Sequence, residues 1–354
     1  MRAGNIPIPS EWVVPNNTSS TIAGSMPARL IASLIAIAAL KIQAGERDVV
    51  IVGGMENFSA VPYLDMGSRW GLRMGQAKLE DALFYDGFTD IDGVYGGYNH
   101  VAETFERILD EREEIRKQYG LSKDVNLNIN FEDINLWAYE SIQKWIRAQE
   151  RGFFKEVFPV EVPRKRQAPL IVDKDETPRT ETTMEQLAKL PKVFKPDGGR
   201  LTAGNVPPLN DGALAMVMMS RKRVNELRIK PLGTWLASCV DMVEPWWVGI
   251  GPTVSIPKVL KKTGLSLETI DLFEINEASA AQCLFCVNAL KLSRDKVNVN
   301  GGAVALGHPP GLTGARLILT ALYALRERGG TYAIASQCAG GGNGMATVVK
   351  AWGD

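Results

Sequence analysis

The sequence predicts a layered α/β protein, and three observations carry that expectation. Through the last third of the chain, apolar runs of strand length alternate with longer helical stretches, the order that stacks helices on a sheet. Near the start, a stretch rich in Ala, Leu and Ile is followed by a short β-branched run and a glycine pair, Gly53-Gly54. With 354 residues, 45% apolar and 23% charged, the chain has globular composition and the length for two or three domains with a real core.

The elements follow in order. Residues 27–44 predict a helix, with Pro27 suited to its first turn and Gly45 as its stop. Residues 49–52 predict a buried strand that opens into a glycine loop able to face a ligand. Residues 63–99 are rich in Gly, Asp and aromatics and show no clean period, whereas 101–151 are highly charged with helical spacing. Within them, 103–117 read as a solvated helix face. Residues 162–200 read as a long surface excursion, and the apolar run 213–219 follows a Gly/Pro/Asn/Asp turn. The last third predicts helices at 256–263, 278–290 and 314–328. It predicts strands at 269–275, 297–300, 332–336 and 345–349, with a glycine turn at 338–344. No short-period repeat is present.

Bulk properties exclude several functions. Lys plus Arg and Asp plus Glu each number 40, so no global field recruits nucleic acid or an acidic membrane. The longest apolar segment, 30–40, is too short to span a bilayer, and no signal peptide is visible; a cytoplasmic location is expected. Four cysteines do not make a disulfide scaffold. Cys283 and Cys286 form a CxxC, but on an apolar helix with no second ligand pair, so no metal site is expected.

Three segments concentrate polar chemistry. Glu274-Ile-Asn-Glu-Ala-Ser279 places polar side chains where a strand ends and a helix begins, where α/β proteins hold ligands. Asn276 there is either a helix cap or a site residue. His308, one of two histidines, lies in a Gly/Pro loop before a helix, where a structural and a catalytic role both remain open. Cys338 opens the run Cys-Ala-Gly-Gly-Gly-Asn-Gly344. It is either an inert buried thiol or a group among backbone N–H donors that lower its pKa or bind an oxyanion.

Taken together, Asn-Glu-Ala, Gly-Gly-Ala-Val-Ala-Leu-Gly-His-Pro and Cys-Ala-Gly-Gly-Gly-Asn-Gly resemble the catalytic loops of thiolases. The resemblance extends through Val-Val-Ile-Val-Gly-Gly-Met-Glu, Thr-Ala-Gly-Asn205, Asn210-Asp-Gly-Ala213 and Gly249-Ile-Gly-Pro252. It implies two similar halves with mixed sheets: residues 1–62 with 206–222, and residues 223–354. An inserted loop domain, 63–205, would cover coenzyme A, the substrate; no covalently bound cofactor is implied. His308 matches the histidine that activates the family's nucleophile, Asn276 the asparagine that holds an oxyanion-hole water, and Cys338 the acid/base cysteine. Gly340 matches the oxyanion N–H donor and His100 a loop-domain histidine near the coenzyme. The residue types suit a Claisen step, which needs a soft nucleophile, a base near neutrality and donors for enolate and tetrahedral oxygens.

The sequence also departs from the family pattern. No cysteine precedes Cys239, so the usual nucleophile is absent. Counting back from Gly45 places its equivalent at Ala28, and counting forward from Val14-Pro15 places it at Ala23; an alanine cannot be acylated. Ser19, Ser20, Thr21 and Ser25 are poorer substitutes. The family's opening strand–helix–strand is also missing, which would leave a sheet edge for a partner to cover. Pro207 stands where the family has a serine near pantetheine, Ser279 where it has a phenylalanine and Val248 where it has a methionine beside the acyl pocket. Two small side chains in place of large ones predict an acyl group bulkier than acetyl. Trp246 and Trp247 are expected beside that pocket or at the surface. Two readings follow: an acyl-CoA acyltransferase, or a non-catalytic subunit that binds acyl-CoA or scaffolds an active partner. Either is expected to be oligomeric, as a homo-oligomer or with a second subunit.

Overall fold

The computed structural model describes residues 29–89 and 100–353. The first half contains α1 (Arg29–Gln43), β1 (Val49–Glu56), β2 (Tyr63–Asp65), β3 (Leu79–Asp81), α2 (Val101–Asp110), α3 (Arg112–Tyr119) and α4 (Phe131–Glu150). It continues with β4 (Val160–Arg164), β5 (Gln167–Val172), α5 (Met184–Lys189), β6 (Gly212–Met219) and α6 (Arg221–Leu227). The second half contains β7 (Gly233–Met242), α7 (Gly251–Thr263), β8 (Leu272–Ile275), α8 (Ala280–Ala289) and α9 (Ala303–Leu306). It closes with α10 (Pro310–Arg328), β9 (Tyr332–Ala339) and β10 (Asn343–Ala351).

Two sheets flank a helical layer. β1 and β6 pair antiparallel, with Val49 opposite Met219 and Glu56 opposite Gly212. In the second half the strand order is β7-β10-β9-β8; β10 is antiparallel to both neighbours, and β8 and β9 are parallel. This is the expected mixed sheet. Helices α1 and α10 lie between the sheets, in contact with β1 and β6 on one side and β9 and β10 on the other. Ile35, Ala38, Val52, Ala315, Leu317, Ile318 and Ala321 are buried in that seam. Each large aliphatic so buried contributes about 1.5–3 kcal/mol, so the seam is what joins the halves. α7 covers the opposite face of the second sheet.

Strand pattern explains the sheet faces. In β1 and β6 the side chains alternate: Val50, Val52, Leu214, Met216 and Met218 pack inward, while Ile51, Met55 and Val217 are exposed. That alternation is what a sheet covered on one face requires.

Four expectations are corrected. Residues 297–300 do not form a strand; only Val297 bridges Phe273. The chain turns away because Asn298 adopts φ 45° and its side chain takes over the ladder, accepting from Ile275 N at 2.8 Å and donating to Ile275 O at 2.9 Å. The helix expected from 278 starts at Ala280, and its cap is Ser279, whose hydroxyl accepts from Gln282 N at 3.0 Å, not Asn276. The helix expected at 256–263 starts five residues earlier, at Gly251, with Pro252 in its first turn. The charged stretch 103–117 is solvated on one face only: Asp110, Glu113, Glu114 and Lys117 are exposed, whereas Thr104, Phe105, Glu106, Ile108, Leu109 and Ile115 are buried. Glu106 accepts from Leu201 N at 2.7 Å and pairs with Arg200 Nε at 3.0 Å, so its charge is spent inside, fastening α2 to the chain that returns to β6.

Candidate active site

The site forms where the ends of β8 and β9 meet the loop before α10. β8 and β9 run parallel, with Ile275 opposite Ser336, and the ladder extends one residue further because Asn276 N donates to Ser336 O at 2.8 Å. Asn276 therefore leaves the C-terminal end of one strand beside the strand that carries Cys338, the end where parallel sheets place ligands.

His308 reaches Asn276 from the loop before α10. Its Nε2 lies 3.2 Å from Asn276 Nδ2, and its Nδ1 lies 2.8 Å from Thr313 Oγ1. Thr313 gives its one hydroxyl proton to Pro309 O at 2.9 Å, so its oxygen accepts from Nδ1–H and Nε2 presents a lone pair to the Asn276 amide. Burial, aided by the Arg316 charge, pushes the His308 pKa down to about 4, so the ring is neutral at pH 7. Asn276 Oδ1 is buried without a hydrogen-bond partner.

Backbone crowding fixes the loop. A Cβ on Gly307 would lie 2.2 Å from Asn210 Oδ1, and one on Gly311 would lie 2.2 Å from Met55 O. Gly311 N also donates to Glu56 Oε2 at 3.0 Å. The end of β1 and the Asn210-Asp-Gly turn thus close directly onto the His308 loop, and only glycine admits them there.

Glu277 is the residue that sequence reasoning passed over. Its carboxylate is fully buried and accepts from Trp137 Nε1 (3.0 Å), Ser141 Oγ (2.9 Å), Asn298 Nδ2 (3.0 Å) and Val304 N (2.9 Å). It joins α4 to the segment that leads into the His308 loop. The signal was present in the sequence: Gly302, whose Cβ would stand 2.3 Å from the Glu277 carboxylate, is half of the glycine pair that the motif requires.

Cys338 lies in β9 and is buried. Burial pushes its thiol up to about 12, the opposite of the lowering expected from neighbouring N–H groups, because the glycine turn is packed rather than open. Gly341 and Gly342 have φ of 76° and 81°, and a Cβ on Gly342 would meet Val243 O at 2.2 Å. Gly340 sits in this turn, its carbonyl accepting from Asn343 Nδ2 at 2.7 Å. Cys283 and Cys286 are fully buried in α8, and burial raises both thiols. Among the described residues, no group of three or more His, Cys, Asp or Glu is arranged to hold a metal, and no helix is long and apolar enough to cross a membrane.

The remaining predicted residues fall as follows. His100 caps α2, its Nδ1 accepting from Ala102 N at 3.0 Å, and its ring lies among Phe84, Phe88 and Phe194; burial lowers its pKa to about 4. Val248 is buried, and Ser279 is the helix cap already described. Trp247 is buried and donates to Glu111 Oε2 at 2.7 Å, while Trp246 packs under Arg107; both belong to the seam with α2 and α3. Pro207 is half-buried between Val206 and Pro208, which line a cavity of about 200 Å³. Arg179, Gln186, Leu187 and Val304 line it too, so the cavity reaches α9, which ends at the residue before Gly307-His308. Ala23 and Ala28, and the hydroxyl residues 19–21 and 25, lie outside the described residues.

Two family models cover most of the chain: "Thiolase, N-terminal domain" matches residues 31–222 and "Thiolase, C-terminal domain" matches residues 229–351. The chain belongs to the thiolase family. A probable acetyl-CoA acyltransferase of Staphylococcus epidermidis is 40% identical over 338 residues, 95% of this chain and 79% of that protein. Among solved structures, human mitochondrial 3-ketoacyl-CoA thiolase superposes with a TM-score of 0.82 at 36% identity, over 92% of this chain and 78% of that one. The same human thiolase in complex with CoA gives 0.81. The acetyl-CoA acetyltransferase of Bacillus anthracis gives 0.80 at 37% identity, over 90% and 75% of the two chains. Asn276 follows the end of β8, Cys338 lies in β9 and His308 in the loop before α10, and no cysteine precedes Cys239.

Proposed function

We propose that this chain is an acyl-CoA acyltransferase of the thiolase type, acting on the thioester and α-carbon of an acyl-CoA. The observation that carries the reading is the Asn276–His308 contact, 3.2 Å long, at the end of the strand pair that holds Cys338. His308, neutral with Nε2 as acceptor, takes the proton of an incoming CoA thiol as its sulfur bonds to the 3-keto carbon, so that the acyl fragment leaves as a new thioester. The asparagine amide and the Gly340 N–H serve the thioester oxygen as charge develops on it. Cys338, held as a thiol by burial, delivers a proton to the α-carbanion as the carbon–carbon bond breaks and receives one in the reverse direction.

The cavity beside Pro207 suits a pantetheine arm. Leu187, Val206 and Val304 supply apolar walls, Gln186 a polar partner, and Arg179 a positive charge for phosphate. In this reading residues 63–205 form the insert that covers the coenzyme, with His100 stabilising the aromatic core of that insert. Ser279 and Val248, small where the family has large side chains, support an acyl group bulkier than acetyl. An oligomer of like or unlike subunits in the cytoplasm belongs to the same reading.

A second reading is favoured by one observation: without a cysteine before Cys239, no thiol stands at the family's acylation position. The chain would then bind acyl-CoA without turning it over, or support an active partner.

Three measurements on the purified chain separate them. CoA binding is followed by calorimetry, cleavage of acetoacetyl-CoA and longer 3-ketoacyl-CoAs by the loss of absorbance, and α-proton exchange of acyl-CoA in D₂O by mass spectrometry. Exchange needs Cys338, His308 and Asn276 but no acylated nucleophile, so it is expected even if cleavage is weak. Binding with neither exchange nor cleavage establishes the non-catalytic reading; absence of binding refutes both. Preference for acetyl over longer or branched acyl groups would defeat the bulky-acyl assignment.

A further inference from the structure

Strand β8 and helix α10 are tied together twice. One tie is the chain Asn276–His308–Thr313. The other is an ion pair one step down: Arg316 Nη1 lies 3.5 Å from Glu274 Oε2, with side-chain exposures of 14% and 1%. The spacing matches on both elements. Glu274 and Asn276 are two residues apart on an extended segment, so their side chains leave the same face. Thr313 and Arg316 are three apart on a helix and also share a face. The ion pair and the histidine contact are successive rungs between the same two elements.

The lower rung is a poor device for stability. A buried ion pair recovers its desolvation only when fully hydrogen-bonded, and here Glu274 Oε2, Arg316 Nη1 and Arg316 Nη2 have no hydrogen-bond partner. Burial pushes the Glu274 carboxyl up to about 8 in spite of the Arg316 charge, so near pH 7 the rung is a largely protonated carboxyl held against a guanidinium, and what such a close buried contact does well is fix a register. The surrounding charges are few. Glu277 and Lys144 act on Glu274, while Glu277 and Glu156 act on Arg316. Arg316 in turn acts on His308, disfavouring a proton on its ring.

We propose that Arg316 is a positioning residue for the site: its buried contact with Glu274 sets α10 against β8 and so holds His308 between Asn276 and Thr313. The proposal rests on the functional reading only for its consequence in catalysis, because the geometry is testable on the imidazole itself. With two histidines in the chain, ¹⁵N-histidine NMR of the full-length protein is assignable using H100Q. The wild-type His308 ring is expected as a single neutral Nδ1–H tautomer.

In the double variant Arg316→Met with Glu274→Met, apolar side chains of similar length replace the pair. Cooperative melting is expected to persist, the ring to populate both tautomers, and its titration midpoint to rise by about one pH unit or more. Arg316→Lys, which keeps the charge without the planar fork, is expected to fall between the two. Glu274→Gln carries the same tautomer test if the double variant does not fold. A folded variant that retains the wild-type tautomer and midpoint overturns the proposal. Ring changes as expected in a protein that neither exchanges nor cleaves acyl-CoA would uphold it while refuting the catalytic reading.

Discussion

Asn276 Nδ2 and His308 Nε2 stand 3.2 Å apart, joined across 32 positions of sequence. The amide fixes which ring nitrogen faces the site, because Thr313 engages the other. Asn276→Ala should therefore reduce acyl-CoA α-proton exchange by about 10²-fold, the usual cost of losing one oxyanion donor. Coenzyme binding, measured by calorimetry, should change little, since Asn276 is not among the residues that line the pantetheine cavity.

Glu277 accepts four hydrogen bonds in the interior. Glu277→Gln cannot accept at all of those positions and points an NH₂ group at existing donors. A loss of about 1–3 kcal/mol is expected, the scale for leaving buried donors unsatisfied. Chemical denaturation measures it, and a variant as stable as the parent would show that the network is not coupled to folding.

Gly302 faces the same carboxylate. A Cβ there would sit 2.3 Å from Glu277 Cδ, far inside contact distance. Gly302→Ala should cost more than Glu277→Gln, about 3 kcal/mol or above, because backbone and carboxylate must both move. Pairing it with Glu277→Ala should recover part of the loss, a non-additivity read from a double-mutant cycle.

Glu106 carries a charge into the interior and meets Arg200 there at 3.0 Å. Glu106→Ala leaves the Arg200 and Leu201 backbone N–H groups without their acceptor, although the guanidinium keeps Asp110, and about 1–3 kcal/mol of stability should be lost. Salt should restore little of it, since buried pairs are weakly screened. A melting temperature within a degree or two of the parent would contradict this placement.

Both described histidines have pKa values lowered by burial, to about 4. The folded state holds them neutral, whereas the unfolded chain protonates them near pH 6.5. Their contribution to stability is thus complete above about pH 6.5 and is lost as pH falls toward 4. Melting temperature should decline over that window, and the slope should lessen in H100Q. An unchanged slope would mean that His100 is protonated without penalty.

The layered α/β order, the strand ends that bear Asn276 and Cys338, and the His308 loop were legible because each rests on local pattern. Strand alternation, helix period and glycine clusters are written in neighbouring residues. The stretch 103–117 was misread in part for the converse reason: charge looks solvated until a distant partner such as Arg200 is known. Residues 297–300 look like a strand by composition, yet Asn298 takes a left-handed turn and substitutes its side chain for the ladder. Ser279 was read for its small size beside a pocket, and only the structure shows that its hydroxyl also caps a helix.

By itself the sequence determined which residue types were available: an asparagine where a strand ends, a histidine in a Gly/Pro loop, a thiol ahead of a glycine run, and no cysteine before Cys239. Only the tertiary structure decided that Asn276 touches His308, that Glu277 binds α4 and the approach to the His308 loop together, and that Arg316 lies against Glu274. Such contacts join elements far apart in the chain. Their geometry is set by packing and by the satisfaction of buried polar groups, and no local pattern encodes either.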